Sequence, residues 1–194
     1  MPRIFIAIRF EDEFKQKLAA IQDALRQKGV QGNYCPYRNL HMTLAFVGEH
    51  YDLPSIREAL SEVTFEPFSI SLGSLGSFPT KAGVIWCGVK DPDDVTSLAN
   101  RLRERLIAHG VSFSETEFFP HISLVQHPST LITDIRVPEA SADVSKIYIM
   151  KSERVNGELV YSEIEAVSAE LFHTTKPFND YVNRAVDYAI NELK

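Results

Sequence analysis

Two stretches of this chain are built to one plan, and that repetition constrains the fold more than any other feature. Residues 11–28 carry apolar side chains at Phe14, Leu18, Ile21 and Leu25, a spacing that matches the α-helical period. Gly29 follows, where the end of a helix favours glycine. Residues 91–109 do the same with Val95, Leu98, Leu102 and Leu106, followed by Gly110. After each of these comes a short link and then a strand-like run. The first reads Leu40-His41-Met42-Thr43-Leu44 and the second Pro120-His121-Ile122-Ser123-Leu124. A plan used twice predicts two related lobes.

The remaining pattern predicts antiparallel sheets. Residues 3–10 form an Ile- and Phe-rich strand, and residues 53–63 a shorter helix with Pro54 near its start. Residues 68–78 and 83–89 read as strands, residues 113–119 and 120–125 as the next extended segment. Residues 144–153 and 158–165 form a hairpin about Asn156-Gly157, a favoured two-residue turn. The expected class is α+β, with two pseudo-symmetric lobes of antiparallel sheet flanked by helices and a cleft between them. At 194 residues the chain has room for one such domain, taken as 1–165. Residues 166–194 are expected to form a C-terminal extension, with an amphipathic helix over 177–193.

Composition narrows the function classes. Lys and Arg total 20 against 26 Asp and Glu, a net charge of −6, with no basic block. A protein that tracks long nucleic acid by releasing counterions is disfavoured, whereas an enzyme on a small anion or one end of an oligonucleotide needs only a local positive site. No apolar run approaches the length of a bilayer span and no signal-peptide layout opens the chain, so a cytoplasmic protein without membrane contact is expected. Cys35 and Cys87 form no C-x-x-C and read as small core hydrophobes.

The repeated motif carries the chemistry. Alternate strand residues share a face, so His41 lies beside Thr43 and His121 beside Ser123, while Met42, Leu44, Ile122 and Leu124 turn to the core. Two imidazoles on opposite sides of a phosphorus serve as general base and general acid for an in-line displacement. The hydroxyls donate to the non-bridging oxygens, where charge redistributes. No zinc-type spacing such as H-E-x-x-H occurs; neither metal nor cofactor is expected.

The paired H-x-T/S-x motifs, with the phrases N-L-H-M-T-L-A-F-V-G-E (residues 39–49), G-S-L-G-S-F-P (73–79) and F-F-P-H-I-S-L (118–124), resemble the 2H phosphoesterase superfamily. Within it they are similar to the RNA 2',3'-cyclic phosphodiesterases, also called 2'-5' RNA ligases. The resemblance covers about residues 2–165. It implies metal-independent opening of 2',3'-cyclic phosphate ends of RNA to 2'-phosphates, with 2'-5' joining in some members. By the matching motifs His41 is the proton donor, His121 the proton acceptor, and Thr43 and Ser123 hold the phosphate. The implied substrates are RNA ends, short oligonucleotides or cyclic nucleotides. Oligomeric state stays open, a monomer being favoured.

Two departures from the family pattern stand out. Ser123 replaces the commoner Thr, and Gln126 stands where an Arg often contacts phosphate. Arg38, Lys151 and His127 are candidates to restore that charge. Tyr34, Tyr37 and Phe119 are placed to stack on a base. Phe46, from its parity with Met42 and Leu44, and Trp86, from its apolar strand, are expected in the core. His50, His109 and His173 are expected to be solvated. Two other functions remain open: a phosphodiesterase for small cyclic nucleotides or 2'-5' oligoadenylate, and a nucleotide-binding module with slow turnover.

Overall fold

The computed structural model describes residues 2–49, 52–78, 83–114, 117–132 and 134–170. In chain order these form β1 (Arg3–Arg9), α1 (Asp12–Gln27), β2 (Asn33–Tyr34), a 3-10 turn (Tyr37–Asn39), β3 (His41–Gly48), α2 (Leu53–Ser61), β4 (Phe68–Phe78), β5 (Val84–Val89), α3 (Asp93–Ala108), β6 (His121–Gln126), β7 (Ser141–Val144), β8 (Lys146–Val155) and β9 (Glu158–Ser168). One sheet runs β3-β1-β8-β9 and the other β2-β6-β5-β4-β7, every pairing antiparallel. The two-lobed α+β architecture is therefore as expected.

The strand β1 sits in the middle of its sheet and is buried on both faces, which explains why its sequence shows no alternation. Ile4, Ile6 and Ile8 enter the main core; Phe5 and Ala7 pack on the other face with Met150. The helices cross over between the lobes. α1 follows β1 but packs against β6, and α3 follows β5 but packs against β3. Each helix thus supports the motif strand of the other half. The β8–β9 hairpin closes on Asn156 (φ 51°) and Gly157 (φ 86°), the two left-handed residues that a primed turn requires.

Three local readings differ from the sequence pattern. In the segment read as extended over 113–119, the described residues 113, 114 and 117–119 belong to no strand. The Ser114 N–H donates to the Phe46 carbonyl (2.9 Å), a bond between the lobes outside any ladder. The short strands β2 and β7 were not anticipated, being too brief to show a period. β9 continues to Ser168, beyond residue 165. The helix read over residues 177–193 lies outside the described residues, as do His50 and His173.

Candidate active site

Both motif strands contain the same irregularity at the same place. In the β1–β3 ladder Ala7 pairs with Thr43 and Ile6 with Ala45, so Leu44 is an extra residue; in the β5–β6 ladder Trp86 pairs with Ser123 and Ile85 with Val125, so Leu124 is extra. A bulge of this kind reverses the alternation beyond it and leaves backbone groups outside the ladder. Leu44 and Ala45 are both buried, as are Leu124 and Val125. The next residues, Phe46 and Gln126, therefore return to the face that carries the histidines. Side chains from the crossed-over helices take the bulge carbonyls. Gln22 Nε2 of α1 donates to Leu124 O (2.9 Å) and Arg103 Nε of α3 to Leu44 O (3.2 Å).

The bulge corrects the expectation for Phe46. It is 42% exposed on the site face, because parity was counted without the inserted residue. Trp86 also departs from expectation. It is only partly buried and packs on the rings of Phe119 (4.8 Å) and Phe78 (5.4 Å), near His121. Gly76 admits this: a Cβ there would stand 2.2 Å from the indole.

The two histidines are held alike. His41 Nδ1 lies 2.6 Å from the Asn39 carbonyl, and His121 Nδ1 lies 2.7 Å from the Phe119 carbonyl. A carbonyl only accepts, so each Nδ1 donates, and each neutral ring keeps its lone pair on Nε2. His41 Nε2 also lies 3.0 Å from Thr43 Oγ1. The hydroxyl donates to the neutral ring and accepts from the imidazolium. Phe5 and Tyr161 pack against the His41 ring at 4.9 and 5.3 Å, and Phe78 meets the His121 ring edge-on at 4.9 Å. Burial pushes both imidazoles below their ordinary value; each backbone carbonyl partly opposes this, and His41 is lowered further by the charge of His121.

The histidines border a cleft with two arms that share Thr43 and Phe46. The larger, about 570 Å³, is lined by His41, Ser123, Gln126, Tyr34, Arg3 and Arg154 among others. The smaller, about 400 Å³, is lined by His121, Phe78, Phe118, Phe119 and Arg103. The structure thus gathers His41, Thr43, His121, Ser123, Gln126, Tyr34 and Phe119 around one cleft.

Other candidates lie elsewhere. The Arg38 guanidinium pairs with Glu158 (2.8 Å) and borders a small pocket on another side of His41. The Tyr37 hydroxyl donates to the Asp12 carbonyl (2.9 Å), and the ring packs under Lys15. Lys151 pairs with Glu153 (2.7 Å) and alternates to the face opposite Ser152. His127 leaves the end of β6 with a left-handed backbone (φ 51°) and lines neither arm. His109 is not simply solvated: its Nε2 lies 3.0 Å from Glu62.

Sequence reasoning missed Arg3, Arg154, Arg103, Phe46 and Phe78 as cleft residues. Arg3 shares strand parity with Phe5, but a strand buried on both faces hides which parity faces the site. Arg103 reaches the cleft from a helix assigned to the other motif, and only the crossing of the helices reveals it.

Among the described residues no group of three or more His, Cys, Asp or Glu side chains is gathered as a metal site, and no helix is long and apolar enough to cross a membrane.

Comparison with known proteins places the chain in a family. The chain is 36% identical over 140 residues to an RNA 2',3'-cyclic phosphodiesterase of Archaeoglobus fulgidus, covering 69% of this chain and 78% of the relative. It is 34% identical over 160 residues to one of Thermotoga maritima, covering 75% and 85%. The fold matches the apo structure of Escherichia coli LigT with a TM-score of 0.72 at 25% identity, over 87% of this chain and 98% of LigT. The family profile of the 2'-5' RNA ligase superfamily matches residues 10–156, and the chain belongs to that superfamily.

Proposed function

We propose that this chain is an RNA 2',3'-cyclic phosphodiesterase that opens the cyclic end to a 2'-phosphate without a metal. His121 Nε2 takes a proton from water as its oxygen bonds to phosphorus. The P–O3' bond breaks, and the His41 imidazolium delivers a proton from Nε2 to the departing 3'-oxygen. Thr43 and Ser123 donate to the non-bridging oxygens, where fixed donors favour the transition state. The observation that carries this reading is the matched pair of histidines. Each Nδ1–H is tied to the carbonyl two residues back, leaving Nε2 for proton transfer, and each has a hydroxyl two residues on. The names of the curated relatives support the substrate.

The arm beside His121 is much larger than one water requires. A strand's 5'-hydroxyl admitted there in place of water would give a 2'-5' linkage by the same proton transfers.

The test is incubation of an RNA ending in a 2',3'-cyclic phosphate, and of the matching nucleoside cyclic phosphate, with enzyme dialysed against EDTA. A 2'-phosphate product is expected from the RNA. His41→Ala and His121→Ala, checked for folding by circular dichroism, should each lose about 10²- to 10⁴-fold in rate. Near-normal turnover in either variant would reject two-histidine catalysis, and activity restored only by a divalent ion would reject the metal-free route. Turnover of the nucleoside cyclic phosphate alone would indicate a small-molecule enzyme, and binding without turnover a nucleotide-binding module.

A further inference from the structure

The two arms of the cleft are not equivalent, and in-line chemistry assigns them different contents. Attacking and leaving oxygens lie on opposite sides of the phosphorus. In the reading above the leaving 3'-oxygen belongs beside His41 and the water beside His121. His41 borders the larger arm and His121 the smaller. The terminal nucleoside, and all of the strand that precedes it, therefore runs into the larger arm.

That arm has an unusual charge for this chain. In a protein of net charge −6 it is lined by two guanidinium groups, Arg3 and Arg154, and among the described residues by no carboxylate. Both cations sit at the same end of the sheet. Arg3 pairs in register with Ser152, two residues before Arg154. Thr43 stands opposite Ala7, four residues along β1 from Arg3, or about 14 Å of strand at 3.4 Å per residue. A nucleotide and an arginine side chain together are long enough to bridge that separation. Arg154 is tied to the hairpin turn, its Nη1 donating to the Gly157 carbonyl (2.9 Å). Arg3 has a loose pair with Glu49 at 3.8 Å, both side chains more than half exposed. Such a pair holds a cation weakly and leaves it available to a stronger anion. Gln126 and Asn33 add neutral amides to the same wall.

We propose that Arg3 and Arg154 form a subsite for the phosphodiester one nucleotide upstream of the reacting phosphate, so that the chain selects the 3' end of a strand of two or more nucleotides over a mononucleotide. Charge-assisted bonds from a guanidinium to phosphate oxygens are the recognition chemistry. The inference rests on the proposed reaction for which end enters the arm. The subsite also replaces, at a different place, the positive charge that Gln126 does not provide.

The experiment measures equilibrium binding, which does not depend on turnover. The probes are the product-like ligands adenosine 2'-phosphate, the dinucleotide ApA bearing a terminal 2'-phosphate, and that dinucleotide with its internal linkage made an uncharged methylphosphonate. The wild-type protein should bind the charged dinucleotide at least about tenfold more tightly than the mononucleotide. Its affinity should fall more steeply with salt, by about 0.7 in the log–log slope. Arg154→Gln and Arg3→Gln should each reduce the dinucleotide preference several-fold. The methylphosphonate should erase most of it, and Arg154→Gln should then add no further loss.

Equal affinity for mononucleotide and dinucleotide, or equal affinity for the charged and uncharged linkages, would overturn the proposal. So would arginine variants that weaken all three ligands alike, since the cations would then serve the terminal phosphate. The methylphosphonate comparison uses only the wild-type chain and stands even if a variant fails to fold. A dinucleotide preference in a protein that turns over no cyclic phosphate would retain the subsite and reject the proposed reaction; turnover without the preference would do the reverse.

Discussion

Replacing Gln22 by Met tests whether the helix-to-bulge contact holds the second motif in place. Gln22 is 3% exposed in the middle of α1, a position the helical period would give to an apolar residue. Its Nε2 donates to Cys35 O and to Leu124 O, each at 2.9 Å. Met has a similar length and volume, so packing alone predicts little change. The hydrogen bonds predict more. Leu124 O keeps the Cys35 N–H (2.9 Å), while Cys35 O loses its side-chain donor. The Cys35 carbonyl is partly buried and borders the cleft, so the two lost bonds cost about 0.5–1.5 kcal/mol each, for a total of roughly 1–3 kcal/mol. At about 2–4 °C per kcal/mol for a chain of this size, Tm should fall by roughly 2–12 °C.

Urea unfolding followed by circular dichroism measures the change, with the slope m expected to stay constant while the midpoint falls. Because Leu124 is the bulge residue between Ser123 and Gln126, the folded variant should also turn over cyclic phosphate more slowly at saturating substrate. A destabilisation below about 0.5 kcal/mol would refute the reasoning, since it would mean the two carbonyls do not depend on this amide.

Three further outcomes are expected. Burial lowers His41 and His121 below the 6.5 of the unfolded chain, so between those values the unfolded state binds more protons. Their contribution to stability is therefore full above pH 6.5 and is lost as pH falls toward the folded values. Urea midpoints at pH 5 and 7.5 should differ less in a His41→Gln, His121→Gln double variant than in the wild type, and the kcat/KM optimum of the wild type should lie on the acid side of pH 6.5. Gly76→Ala, whose Cβ would meet the Trp86 indole at 2.2 Å, should destabilise by about 1–3 kcal/mol and shift the intrinsic fluorescence of Trp86; an unchanged spectrum and Tm would show that the indole moves aside freely. Gln126→Arg, which adds a cation to the arm beside Ser123, should lower KM for a cyclic-phosphate RNA end and steepen its salt dependence; kinetics at two salt concentrations would expose the absence of either effect.

Much of this protein is determined by local pattern. Residues separated by helical or strand periods define α1, α3, β3 and the β8–β9 hairpin, because a side chain's face depends only on its spacing along a regular element. The same spacing places each histidine beside its hydroxyl, and the recurrence of that pair marks the chemistry before any tertiary contact is known. What the pattern does not contain is anything that depends on a break in regularity or on distant chain segments. The bulges at Leu44 and Leu124 change parity by one residue, which moves Phe46 from the expected core to the cleft and brings Gln126 back to the site face. The crossing of α1 and α3 decides that Gln22 and Arg103 hold those bulges from the opposite halves. The cation candidates Arg38 and Lys151 pair with Glu158 and Glu153, while Arg3 and Arg154, far apart in the chain, line one arm of the cleft because β1 and β8 pair in register. Periodicity is a one-dimensional property of a single element; which elements pair, in what register and with what inserted residue is decided only when the whole chain packs.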